Sequence, residues 1–233
     1  MSKHVNTHGQ KAESYNIGRP DYPKEFYSFL YEELGFKNAI IADIGAGTGK
    51  VTKGFLAKGS TVYAIEPDAD MIKVLCNNLA GFPGCIPIIS TAENTGIPDG
   101  KIDIIFCGNS YHWFDKSAAI PEFKRILRDT NRKYNIVISS LGPGCAKTES
   151  PFEDGMFVEK TFEYTVCNGF HEFLHGHLSA SNAPTADEDC FEEYCESIKQ
   201  TFEKECINGQ VETKFTLHVI IGNVNNLKLC QAF

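Results

Sequence analysis

The first 140 residues alternate between short apolar runs and stretches in which apolar side chains recur every three or four positions. Ala39–Ile44 is apolar but for Asp43 and ends against Gly45. Thr61–Ile65, Ile86–Ile89, Ile102–Cys107 and Tyr134–Ser140 are four more such runs. Short aliphatic runs bounded by turn residues predict strands buried on both faces. Between them, Val51–Lys58 sets Val51, Phe55 and Leu56 on one side. Asp70–Leu79 does the same with Met71, Val74, Leu75 and Leu79, and Ser117–Leu127 with Ile120, Phe123, Ile126 and Leu127. That spacing predicts helices with one apolar stripe. Strand and helix in alternation predict an α/β domain, a parallel sheet with helices on both faces. Ligands of such sheets sit beyond the carboxyl ends of the strands, where strand order reverses. The residues that follow the first four strands are therefore the place to look for chemistry.

After residue 140 the rhythm breaks. Leu141–Gly144 reads as a loop, Thr161–Val166 as a sixth strand, Glu192–Cys206 as a long helix and Lys214–Ile221 as a closing strand. No linker separates the halves, so 1–233 is read as one domain. It divides into an N-terminal arm (1–35), a ligand-binding core (36–140), a variable elaboration (141–213) and a closing strand (214–222).

Composition narrows the partners. With 42% hydrophobic and 22% charged residues the chain is of ordinary globular type. Lys and Arg number 22 against 30 Asp and Glu, a net charge of −8, which repels phosphate backbones; nucleic acid is not expected as a partner. No run approaches the roughly 18 apolar residues of a membrane helix, so no membrane association is expected. The nine cysteines include no Cys-x-x-Cys pair. Small buried hydrophobes with reduced thiols are the simplest reading, which makes the expected location cytoplasmic.

The strongest chemical signal is Asp43-Ile44-Gly45-Ala46-Gly47-Thr48-Gly49-Lys50, between a strand and a helix. Glycines are needed where a ligand meets the backbone closely or φ is positive. The spacing is Gly-x-Gly-x-Gly, one residue short of the dinucleotide pattern, and Val51 stands where a phosphate loop needs a hydroxyl. Glu66 closes the second strand, where a carboxylate accepts hydrogen bonds from both ribose hydroxyls and disfavours a 2′-phosphate. Ala92-Glu93 follows the third strand and Asn109-Ser110-Tyr111-His112-Trp113-Phe114 the fourth. His112 is the side chain of that last run whose pKa suits a general base, although it serves equally as a packing ledge.

Taken together these motifs resemble the class I S-adenosylmethionine-dependent methyltransferases. The closest likeness is to the small-molecule, type 11 branch with the trans-aconitate methyltransferase-like proteins, from about Ala12 to about Gly222. The resemblance implies a Rossmann-like, seven-stranded, mostly parallel sheet with helices on both faces and an insertion in the C-terminal half that shapes the acceptor pocket. It implies S-adenosylmethionine as cofactor and methyl transfer to a small molecule, a carboxylic acid among the candidates. It assigns Asp43, Gly45, Ala46, Gly47 and Gly49 to the methionine part and ribose, and Glu66 with Pro67 to the ribose. Met71, Ala92 and Glu93 would surround the adenine, and Asn109 would line the site. Ala12–Pro23 resembles the family's lid, which sets Tyr15 and Arg19 towards the methionine carboxylate or an acidic substrate. Gly176–Pro184 resembles the pocket stretch, with His177 where Arg is common and Asn182 where an aromatic is usual.

Other readings stay open. A protein that binds S-adenosylmethionine without catalysis would share every motif. His171-Glu172-Phe173-Leu174-His175 matches the zinc-protease pattern, which leaves a zinc hydrolase as a weaker alternative with Glu193 or Glu196 as third ligand; the following Gly176 weakens a helix and the extended metzincin spacing is absent, so no metal is expected. Methyl transfer from a sulfonium proceeds largely through positioning, so a general base is optional. Oligomeric state is not legible.

Overall fold

The computed structural model describes residues 11–144 and 150–228. Seven strands, β1 (Ile40–Ile44), β2 (Thr61–Glu66), β3 (Cys85–Ile89), β4 (Ile104–Gly108), β5 (Ile136–Pro143), β6 (Phe157–Asn168) and β7 (Val211–Gly222), form one sheet. Their order is β3-β2-β1-β4-β5-β7-β6. β1, β2, β3, β4 and β5 pair in parallel, and β7 runs antiparallel to both β5 and β6. The sheet is thus seven-stranded and mostly parallel, and its winding reverses between β1 and β4. Pro87 sits within β3, which is tolerated because β3 is an edge strand.

Helices cover both faces. On one, α2 (Lys24–Ser28, continued by a π turn over Phe29–Glu33), α3 (Lys50–Ala57) and α4 (Ala69–Leu79) bury Phe26, Leu30, Phe55 and Leu75 against Ile41, Val62 and Phe106. On the other, α5 (Lys116–Ile126) sets Phe123 and Ile126 against Ile105 and Ile136, joined by Phe152 and Val224. Each such side chain contributes roughly 1.5–3 kcal/mol over leaving it in water. Above the carboxyl ends of the strands lie α1 (Ala12–Gly18), α6 (Phe170–Leu178) and α7 (Phe191–Glu205). α6 and α7 share a small core of Phe173, Ile198, Phe202 and Val211.

The first half matches the periodicity. The differences fall elsewhere. α1 and α2 lie in the arm, where mixed aromatics and charges hid the helical period. Leu141–Pro143 is strand, not loop, because β7 pairs with it residue for residue: Leu141 with Leu217, Gly142 with Thr216, Pro143 with Phe215. β6 and β7 run to twelve residues each, longer than expected, since they pair with each other beyond the end of the rest of the sheet. Of the seven described cysteines only Cys107 is buried; Cys76, Cys167 and Cys190 are exposed, so the buried-hydrophobe reading fails for most of them. Among the described residues no helix is long and apolar enough to cross a membrane.

Candidate active site

The glycine loop is built by its neighbours. Gly45 and Ala46 both donate backbone N–H to the Ile65 carbonyl at the end of β2, at 2.8 and 2.9 Å. Ser110, past the end of β4, donates its hydroxyl to the Ile44 carbonyl at 2.6 Å. Gly45 has φ +76°, and a Cβ there would lie 2.5 Å from Ser110 Cβ, so both conformation and space require glycine. Gly47 donates its N–H to Glu66 Oε2 at 3.0 Å, while Glu66 Oε1 accepts from Asp68 N–H at 3.1 Å. Glu66 thereby braces the loop while its oxygens keep lone pairs for a further donor. Burial raises its pKa, with the two backbone donors opposing.

Asp43 ends β1 fully inside. Thr52 donates to its Oδ2 at 2.5 Å, yet burial pushes its pKa up to about 7, with Glu66 adding to the rise. Arg19 stands over the Tyr15 ring, 5.3 Å from its centroid. These groups meet in an open cavity whose lining includes Tyr15, Arg19, Asp43, Gly45, Ala46, Gly47 and Thr48. The lining continues through Tyr22, Phe106, Gly108, Asn109, Leu141 and Phe215. Two residues of this lining carry a buried side-chain atom with no hydrogen-bond partner among the described residues: Arg19 Nε and Thr48 Oγ1. Buried polar atoms are nearly always paired, so two in one cavity point to a polar ligand. A carboxylate suits both.

The cavity therefore gathers Tyr15, Arg19, Asp43, Gly45, Ala46, Gly47 and Asn109 from the expected set. Asn109 is spent on structure: with φ +54° it donates to the Leu141 carbonyl at 3.1 Å and accepts from Leu141 N–H at 2.8 Å, which ties β4 to β5. Gly49 caps α3 at φ +83°, packed against Leu75 and Leu79 rather than facing the cavity. Pro67, Met71, Ala92 and Glu93 lie beyond the cavity lining, on the β2 and β3 side. Pro67 is exposed; Met71 and Ala92 are buried. Glu93 accepts from Asp115 N–H at 2.9 Å, and Thr95 donates N–H and hydroxyl to Glu122 at 2.8 and 2.6 Å, so α5 holds this loop at two points. Arg125 holds Glu122 in turn and pulls its pKa down to about 2. His112 does not line the cavity. It is exposed on a 3-10 turn (Tyr111–Trp113), against Trp113 at 4.9 Å, and partial burial and Lys116 lower its pKa.

The stretch Gly176–Pro184 does not line the cavity either. It clasps the arm that does. Lys11 donates to the Ala180 and Ala183 carbonyls at 2.8 and 2.5 Å, and His175 Nδ1 lies 3.0 Å from Ser14 Oγ. Gly18 is required for closeness: a Cβ on it would fall 2.0 Å from Gly176 N. His171 and His175 face each other at 4.5 Å, but no third ligand joins them among the described residues. Sequence reasoning missed Thr48, whose signal was a hydroxyl between two loop glycines, and Tyr22, Ser139 and Phe215, which only the topology brings near.

A family model described as a methyltransferase domain matches residues 42–131, the span from the end of β1 past α5. The span that carries the glycine loop, Glu66 and α5 is thus similar to a methyltransferase domain. An uncharacterized methyltransferase of Mycobacterium bovis is 34% identical to this chain over 124 residues, 53% of this chain and 49% of the relative. The chain thus matches about half the length of that relative. The methyltransferase fold recurs in solved structures. A chain described as a type II methyltransferase from Anaeromyxobacter dehalogenans superposes with a TM-score of 0.57 at 18% identity, covering 88% of this chain and 98% of that one. A methyltransferase from Thiobacillus denitrificans, in complex with S-adenosylhomocysteine, gives 0.55 at 12% identity, covering 96% and 99%.

Proposed function

We propose that this protein binds S-adenosylmethionine in the glycine-loop cavity and transfers its methyl group to a small-molecule acceptor, with carboxylic acids the first class to test. The observation that carries this reading is the pair of buried, unpartnered donors, Arg19 Nε and Thr48 Oγ1, beside the glycine loop. A methionine carboxylate satisfies both, and Asp43 faces the methionine ammonium from the same cavity. Glu66 receives the ribose hydroxyls. Met71, Pro67, Ala92 and Glu93 surround the adenine on the β2 and β3 side. The bound cofactor supplies an electrophilic methyl on a sulfonium. The residues' share is to align the acceptor and exclude water, which is worth several orders of magnitude in rate. Among the described residues no histidine lines the cavity, in keeping with transfer by positioning rather than by a dedicated base.

Calorimetric titration with S-adenosylmethionine, S-adenosylhomocysteine and NAD tests the cofactor. Binding of the first two and not the third is expected; binding of NAD alone sinks the reading. Transfer of labelled methyl to a panel of small acids, amines and alcohols tests the acceptor. Tight binding with no transfer to any of them would favour a non-catalytic sensor.

A further inference from the structure

The wall formed by Tyr22 with β4, β5 and β7 holds one polar device that the cofactor reading leaves unused. Tyr22 lines the cavity, and its hydroxyl lies 3.1 Å from Ser139 Oγ. Ser139 lies on β5 opposite Gly108 of β4, and is only 5% exposed. The Tyr22 ring is fixed by Phe26 and Phe106, with centroids at 5.2 and 6.1 Å. Gly108 makes the seat possible: a Cβ there would meet Phe106 at 2.6 Å and the Tyr22 hydroxyl at 2.8 Å. The rest of this wall, Phe106, Leu141 and Phe215, is apolar, and the Asn109 amide is committed to Leu141.

Two hydroxyls that share one hydrogen bond keep one proton to give outward. Which one donates to the other is free to reverse, so the pair can offer the cavity either a donor or an acceptor. β1, which carries the glycine loop, and β4, which carries this seat, are neighbours, so roughly 5 Å separates their ends. That is the scale on which a methyl donor and its acceptor must meet. Burial raises the Tyr22 pKa far above neutrality, so its role is to hydrogen-bond and not to remove a proton.

We propose that Tyr22, held by Ser139, is the positioning residue for the methyl acceptor, and that the acceptor presents a hydrogen-bonding oxygen or nitrogen at the atom attacked or beside it. This rests on the cofactor reading above. It is testable without knowing the acceptor. Sinefungin carries an amine where S-adenosylmethionine carries its transferable methyl, whereas S-adenosylhomocysteine has nothing there. Tyr22→Phe keeps the ring and removes the hydroxyl. The expected result is a loss of about tenfold in sinefungin affinity with S-adenosylhomocysteine affinity held within about twofold. Ser139→Ala, which leaves Tyr22 unanchored, should show the same split at smaller size. Equal losses for both ligands would mean a purely structural role and overturn the proposal, as would no loss for either. Wild-type protein that binds neither ligand overturns the cofactor reading itself, an outcome seen before any variant is made.

Discussion

Two residues at the glycine loop carry quantitative predictions. Glu66 is the acceptor for Gly47 N–H and the proposed ribose partner, so Glu66→Ala loses charge-assisted bonds to both. An affinity loss of about tenfold or more for S-adenosylhomocysteine is expected by calorimetry, and an unchanged value would remove Glu66 from the site. Asp43 bears on pH. Its pKa is raised to about 7 from 3.8, so in the free protein it holds its proton across the pH range in which an unfolded aspartate has lost it. The native state then binds more protons than the unfolded state, and stability falls as pH rises from about 4 to 7. Binding a cationic ammonium requires the ionised form. Cofactor affinity should therefore rise with pH between about 5.5 and 7, up to tenfold per unit, with proton release on binding. Titrations in buffers of different ionisation enthalpy check this, and Asp43→Asn should flatten the slope. The glycine loop, Glu66 and Asp43 were legible in the sequence because each sits at a strand end within a short local motif. Thr48 was legible only as a residue type. Its unpartnered, buried hydroxyl is a fact of three dimensions.

Among the elements, α1 reaches the cavity lining from the N-terminal arm. It brings Tyr15 and Arg19 to the site and is held there by contacts remote in sequence: Gly18 on Gly176, Lys11 on Ala180 and Ala183, Ser14 on His175, and Asn16 on Asn78 at 2.8 Å. Gly18→Ala would place a methyl about 2 Å from the α6 backbone and push α1 away. Because α1 contributes only Ala12 among its buried hydrophobic residues, the sheet should keep its stability. The expected outcome is weaker cofactor binding with little change in thermal midpoint, and faster amide exchange confined to Ala12–Gly18. A large fall in the midpoint would mean that α1 belongs to the core. The arm was recognisable as a lid only by likeness to a family, since its pattern of apolar positions is too short to show a period. The pocket stretch shows the reverse. Gly176–Pro184 resembled a substrate-facing segment, yet here it holds the arm, because Gly18 has no side chain to keep it off α6 and Lys11 reaches the Ala180 and Ala183 carbonyls.

At the scale of the whole molecule, one sheet carries everything, and ligand binding is coupled to its folding. A ligand that binds only the native state raises stability by about 2.7 kcal/mol at a hundred times its dissociation constant. For a chain of 233 residues that corresponds to a rise of roughly 5–10 °C in the unfolding midpoint. S-adenosylhomocysteine should produce it and NAD should not; equal shifts, or none, would contradict the cofactor assignment. β7 is central to this coupling, since it pairs with β5 on one side and β6 on the other and delivers Phe215 to the cavity. The sequence by itself determined the parallel half of the sheet, the strand ends at which a ligand is to be sought, and the glycine loop with its acidic neighbours. These rest on periodicity and on spacings of a few residues, where local geometry is dictated by the chain. Only the tertiary structure decided that Leu141–Pro143 is strand, that Tyr22 pairs with Ser139 beside the cavity, that Asn109 is spent on β5, and that His112 stands outside. Each of those depends on partners tens of residues away, and which distant backbone or side chain completes a hydrogen bond or fills a gap is set by how the elements pack.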